Sequence, residues 1–110
     1  MPFDPDLAER LRAVLAGTPA LAEKRMFGGL AFLVGGNLAV AASHDGGLLV
    51  RVDPAEGERL LDDRRVMPMV TGGREMRGWL RVAPAAVDTD AALRAWVDRG
   101  VFYARSLPPK

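Results

Sequence analysis

The sequence predicts an α+β fold: two layers, an antiparallel sheet with helices on one face, in the order α-β(3–4)-α-β(2)-α. Two observations carry this. Short apolar runs are separated by glycine pairs, the punctuation of hairpins, and hairpins pair strands antiparallel. Three other segments show helix-start signatures, two of them followed by apolar residues at helical spacing.

The first helix opens with Asp4 as cap, Pro5 at the first helical position and Asp6 complementing the helix dipole. Leu7, Leu11, Val14 and Leu15 form one apolar stripe, and Gly17 with Pro19 beyond it ends the helix. Gly28-Gly29, Gly35-Gly36 and Gly46-Gly47 then separate short apolar runs. Leu30–Val34 and Asn37–Ala42 flank Gly35-Gly36 as a hairpin, and Asp45-Gly46 turns the chain into Leu48–Val52. In that last run Leu48, Val50 and Val52 share one face, Leu49 and Arg51 the other. Lys24–Phe27 is a candidate strand ahead of these.

Asp53-Pro54-Ala55-Glu56 opens a second helix, expected to reach about Asp62 with Leu60 and Leu61 inward, although Gly57 weakens it. Arg64-Arg65 falls in the exit loop. Val66–Thr71 and Glu75–Val82 read as a second hairpin around Gly72-Gly73, with Pro68 marking an edge strand or a bulge. Pro84 stops it. The last helix starts near Asp88 or Thr89, with Leu93, Trp96, Val97 and Val101 as its stripe. Gly100 inside it signals close packing or a kink, and the tail Leu107–Lys110 is expected to fray.

Composition mainly excludes. The 110 residues suit one domain, read as 1–110. Fifteen Lys and Arg against fourteen Asp and Glu leave a net charge of +1, too little for a global field that attracts nucleic acid. The absence of Cys excludes disulfides, thiolate zinc sites and thiol catalysis. His44 is the only histidine, so a multi-histidine metal site is impossible. Its neighbours Ser43 and Asp45 do not make a triad, which needs groups converging in space. No two carboxylates fall on a shared cleft, and no metal or phosphate-loop motif is present. The expectation is a protein that is not an enzyme and needs no cofactor. The acidic start without a leader, and a longest apolar run of only Leu30–Val34, lead us to expect a cytoplasmic chain without a membrane span.

Three constellations remain. Lys24-Arg25-Met26-Phe27 precedes Gly28-Gly29; a basic pair, an aromatic and flexible backbone can hold an anion, while a bulge or close backbone contact explains the same glycines. Met26, Met67, Met69 and Met76 lie outside the clear helices, as core filling or as a partner groove. Arg74, Arg77 and Arg81 lie in or beside one hairpin. On a regular strand Arg77 and Arg81 share a face with Trp79 between them, suited to stacking on a base or a peptide; a bulge at Gly78 would change that parity.

The run Lys24-Arg25-Met26-Phe27-Gly28-Gly29-Leu30-Ala31-Phe32 resembles the N-terminal domain of the TfoX/Sxy family of bacterial competence regulators. Gly36-Asn37, then Leu48-Leu49-Val50-Arg51-Val52, and then Gly73-Arg74-Glu75-Met76-Arg77-Gly78-Trp79 match in order, as do the last helix and Leu107-Pro108. The resemblance spans almost the whole chain. It implies a two-layer α+β domain similar to secretion chaperones, many of which dimerise. Longer family members act in transcriptional control of DNA-uptake genes together with a cyclic-AMP receptor protein. They carry a second domain that is expected to be missing from this chain. The resemblance brings no catalytic set. Its matching positions are Arg25, Phe27, Asn37, Arg51, Arg74, Met76 and Trp79, which alternatively only define the fold, with Trp79 for packing and Arg51 for an internal ion pair. The expectation is a stand-alone regulatory or protein-interaction module with a protein partner, linked to the transcription machinery or to a second copy of itself. The alternative is direct nucleic-acid binding through the arginine hairpin; a small ligand-binding protein or enzyme ranks third.

Overall fold

The computed structural model describes residues 3–26, 28–62 and 64–110. Helix α1 (Pro5–Leu15) starts where Asp4 accepts a hydrogen bond from the Asp6 N–H, so the side chain satisfies one orphan donor of the first turn. Strands β1 (Leu21–Met26), β2 (Gly29–Val34), β3 (Asn37–Ala42) and β4 (Leu48–Arg51) follow as a meander. Helix α2 (Pro54–Leu60) is capped by Asp53, which accepts from the N–H groups of Ala55 and Glu56. Strands β5 (Val66–Thr71) and β6 (Arg74–Val82) form the second hairpin, a 3-10 turn spans Pro84–Val87, and helix α3 (Asp90–Ser106) closes the order. Thr89, rather than Asp88, caps α3 by accepting from the Ala92 N–H.

The six strands make one antiparallel sheet in the order β1-β2-β3-β4-β6-β5. Its junction is β4 against β6, where Leu48 to Arg51 pair with Val82 to Trp79. This inserts the second hairpin beside the meander with β5 outermost, so Pro68 does sit on an edge strand, at a register shift.

One face of the sheet carries the main core. Leu7, Leu11 and Leu15 of α1 and Leu93 and Val97 of α3 pack there on Phe32, Val40, Val50, Leu80 and Val82. All ten are buried; each large apolar side chain so placed contributes about 1.5–3 kcal/mol relative to exposure. Gly100 lets α3 press onto β3, since a Cβ there would lie 2.4 Å from the Ala39 carbonyl oxygen. Arg12 of α1 grips Glu23 of β1 with two hydrogen bonds of 2.9 Å and also reaches Glu9. The hydrogen bonds from Arg12 hold the Glu23 carboxyl below its ordinary value.

Two expectations need correction. Leu61 lies beyond the end of α2 with 38 % of its surface exposed, because the chain turns extended at that residue; only Leu60 packs inward. The C-terminal tail is held rather than frayed. Asn37, buried in β3, donates from Nδ2 to the Pro108 carbonyl at 3.0 Å, and the Lys110 N–H donates to the Gly35 carbonyl at 2.8 Å. The tail thus lies along the β2–β3 turn. Among the described residues no helix is long and apolar enough to cross a membrane.

Candidate functional site on the open face of the sheet

The second face of the sheet is also apolar. Ala31, Leu38, Ala41 and Leu49 are buried there, with Met26, Leu33, Met69 and Trp79 packed around them. All eight belong to strands, and no described helix residue joins the cluster. Leu38 is present because the β2–β3 register shifts between Phe32 and Leu33. Strict alternation from Val40 would turn Leu38 to the helical face; the irregularity turns it to the open face beside Leu33 instead.

This face is concave. Met26 lies on one edge strand and Met69 on the opposite edge, yet both line one cavity of about 90 Å³ with Leu49, His44 and Arg81. In a flat sheet, five strand spacings would separate the edges by about 24 Å. The curl comes from the second hairpin. Pro68 pairs with Leu80, but Met69 pairs with Met76, leaving Arg77, Gly78 and Trp79 as extra residues on β6. Gly78 adopts φ +81°, and a Cβ on it would stand 2.6 Å from the Val52 carbonyl oxygen. The Val52 N–H in turn donates to the Gly78 carbonyl at 2.7 Å. The bulge locks the hairpin to the end of β4 and bends its tip, with Met69 and Val70, across the open face.

The same bulge separates the arginines that a regular strand would align. Arg77 turns to Glu58 of α2, 3.5 Å away, whereas Arg81 stays on the open face and pairs with Asp45 in the β3–β4 turn. Burial alone would raise the Asp45 carboxyl. The Gly47 N–H, the Arg81 guanidinium and the Ser43 side chain outweigh it and bring the group down to about 2. Arg74 is exposed at the hairpin turn, opposite Thr71, with no ion pair among the described residues. Met76 is half-buried on β6.

Arg51 does not form the expected internal ion pair with any described residue. Its guanidinium lies 4.9 Å from the centre of the Trp79 ring and 5.6 Å from that of Tyr103 on α3. Cation–ring attraction therefore ties the open face to the helical layer at the end of β4. Arg25 stands exposed on edge strand β1 with its guanidinium 5.6 Å from the Phe3 ring centre.

Gly29 is consumed by strand packing: a Cβ there would meet the Ala42 carbonyl oxygen at 2.1 Å. Gly28 has φ +74° and faces the His44 side chain. Phe27 lies outside the described residues. Among the described residues no three His, Cys, Asp or Glu side chains gather as a metal site. The structure thus brings Met26, Trp79 and Arg81 to one face and places Asn37 and Arg77 elsewhere. Leu33 and Leu49 escaped sequence reading as site residues, because apolar residues on a strand do not announce which layer covers them.

A family model described as TfoX N-terminal domain matches residues 13–104. No curated protein and no solved structure matches the chain.

Proposed function

The chain belongs to the TfoX N-terminal domain family, and from that premise we propose that it is a competence-regulator-like protein-interaction module. It is non-enzymatic, acts in transcriptional control, and receives its protein partner on the open face of the sheet. The observation that carries this reading is the concave apolar surface of the partly buried Met26, Leu33, Met69 and Trp79 over the buried Leu49, to which no described helix contributes. Thioether side chains adapt their shape to a partner at low cost, and a half-buried Trp offers a rigid anchor. Beside it, Met67 and Val70 of edge strand β5 are 43 % and 55 % exposed. Pro68 and the adjacent register shift blunt this edge for strand pairing, so its exposed apolar side chains, rather than its backbone, extend the contact surface.

The charge distribution supports a protein over a nucleic acid. The net charge is only +1, and two of the four arginines that could bind nucleic acid, Arg77 and Arg81, each face a carboxylate of the same chain, while Arg25 and Arg74 face none among the described residues. The test is affinity capture from the native host with the wild-type protein, Val70→Lys, Met69→Lys and Arg74→Ala. We expect one discrete protein to be retained by wild type and by Arg74→Ala, and its yield to fall at least tenfold with Val70→Lys and Met69→Lys. Retention indifferent to both lysines, or retained nucleic acid lost with Arg74→Ala, would overturn the reading.

A further inference from the structure

A different surface, on the helical layer, leaves a large aromatic side chain in water. Phe102 is 77 % exposed, the most exposed of the large apolar side chains described. It stands on the outer side of α3, on an open surface that it shares, among the described residues, with Asp98, Val101, Arg105 and Ser106. Positions 98, 102 and 105 are four and three apart, so they share one helix face. Asp98 and Arg105 flank Phe102 with opposite charges, and neither forms an ion pair among the described residues. The nearest cation in sequence, Arg99, is occupied by Glu56 at 3.8 Å and by the Trp96 ring at 4.8 Å.

We propose that this face binds a second copy of the same chain, with the two α3 helices antiparallel. Charge complementarity under two-fold symmetry favours this occupant. A two-fold axis crossing α3 between Val101 and Phe102 exchanges position 98 with position 105. Asp98 of each protomer then lies beside Arg105 of its partner, on both sides of the axis. Within one helix the two groups are seven residues apart, about 10 Å along the axis, too far to satisfy each other. Under the same operation each Phe102 meets the Val101 and Phe102 of its partner, where both rings leave water. An isologous interface uses every contact twice, so an exposed aromatic with an acid and a base on its own helix face can complement itself; Asp53 and Glu56 also border Phe102, and Glu56 is taken up by Arg99. The rings supply affinity; the exposed ion pairs set the register.

The test is sedimentation velocity of the full chain across a concentration series up to about 1 mM, the loose end of specific association. Four further proteins are run beside the wild type: Phe102→Glu, Asp98→Arg, Arg105→Asp, and the double exchange of Asp98→Arg with Arg105→Asp. The expected result is a monomer–dimer equilibrium whose Kd rises at least tenfold in Phe102→Glu and in each single charge change. The double exchange restores it to within threefold of wild type, because the swapped pair is again complementary. All the substituted side chains are exposed, so unchanged thermal unfolding of each monomer excludes misfolding as the cause. A wild type that stays monomeric throughout overturns the proposal and assigns the patch to another partner. So does a dimer indifferent to Phe102→Glu. A double exchange no better than its single changes overturns the antiparallel register on which the proposal rests. None of these readouts involves the open sheet face, so they stand or fall apart from the function proposed above.

Discussion

At the scale of single residues, the chain assigns most of its polar groups to its own architecture. Asp45 is the clearest case. Its carboxyl, ordinarily near 3.8, is held at about 2 by the Gly47 N–H and the Arg81 and Ser43 side chains against the opposing effect of burial. A lowered folded-state value contributes stability that is fully present above the unfolded value and lost as pH falls through the folded one. The window is therefore about pH 4 down to about pH 2. The group is partly exposed, so solvent screening leaves on the order of 1 kcal/mol. Urea unfolding of wild type and Asp45→Asn should show wild type more stable by about that amount at pH 6. The difference should vanish near pH 2. A difference constant with pH would mean that the Asp45 contacts do not depend on its charge. Arg51 and Asn37 make the same point about the limits of sequence. Both stand out as motif positions, yet the partners of Arg51 lie 28 and 52 residues away in the chain. The partner of Asn37 lies 71 residues away. Spacing along a chain does not reveal such pairings; only the fold does.

At the scale of elements, local chemistry marked the boundaries well. Asp-Pro at the heads of α1 and α2 and glycine pairs between strands act within a few residues, so a sequence displays them directly. The failures are tertiary. Leu61 follows the apolar pattern of α2 but lies past its last turn. The tail after α3 looked unanchored because its anchors, Asn37 and Gly35, belong to the distant β2–β3 hairpin. The β6 bulge is the element on which the site depends. Gly78→Ala forces a Cβ toward the Val52 carbonyl oxygen and into a φ that L residues rarely adopt. Strain of that kind costs about 1–3 kcal/mol when the backbone holds. We expect a loss in that range or above by urea unfolding, accompanied by faster amide exchange across Met69–Thr71 as the hairpin tip lets go. A loss under 0.5 kcal/mol would mean that the bulge does not hold the curl.

At the scale of the whole molecule, a sheet of six strands has two apolar faces and helices enough for one. The helical face forms the core. Among the described residues, the other is covered by its own curvature and by Met26, Leu33, Met69 and Trp79. The family and the α+β architecture were legible because ordered glycine motifs and helix stripes run along the chain. The open face was legible only as scattered methionines, since the bulges at Phe32/Leu33 and Pro68/Met69 reset the alternation that would have exposed it. The central claim, that this face receives a protein, is tested most directly by a photo-crosslinking amino acid placed at Val70 in the native host. Ala16, exposed after α1, serves as the control position. We expect one discrete protein adduct from Val70 and none from Ala16. Equal labelling from both positions, or adducts of nucleic acid alone, would contradict it.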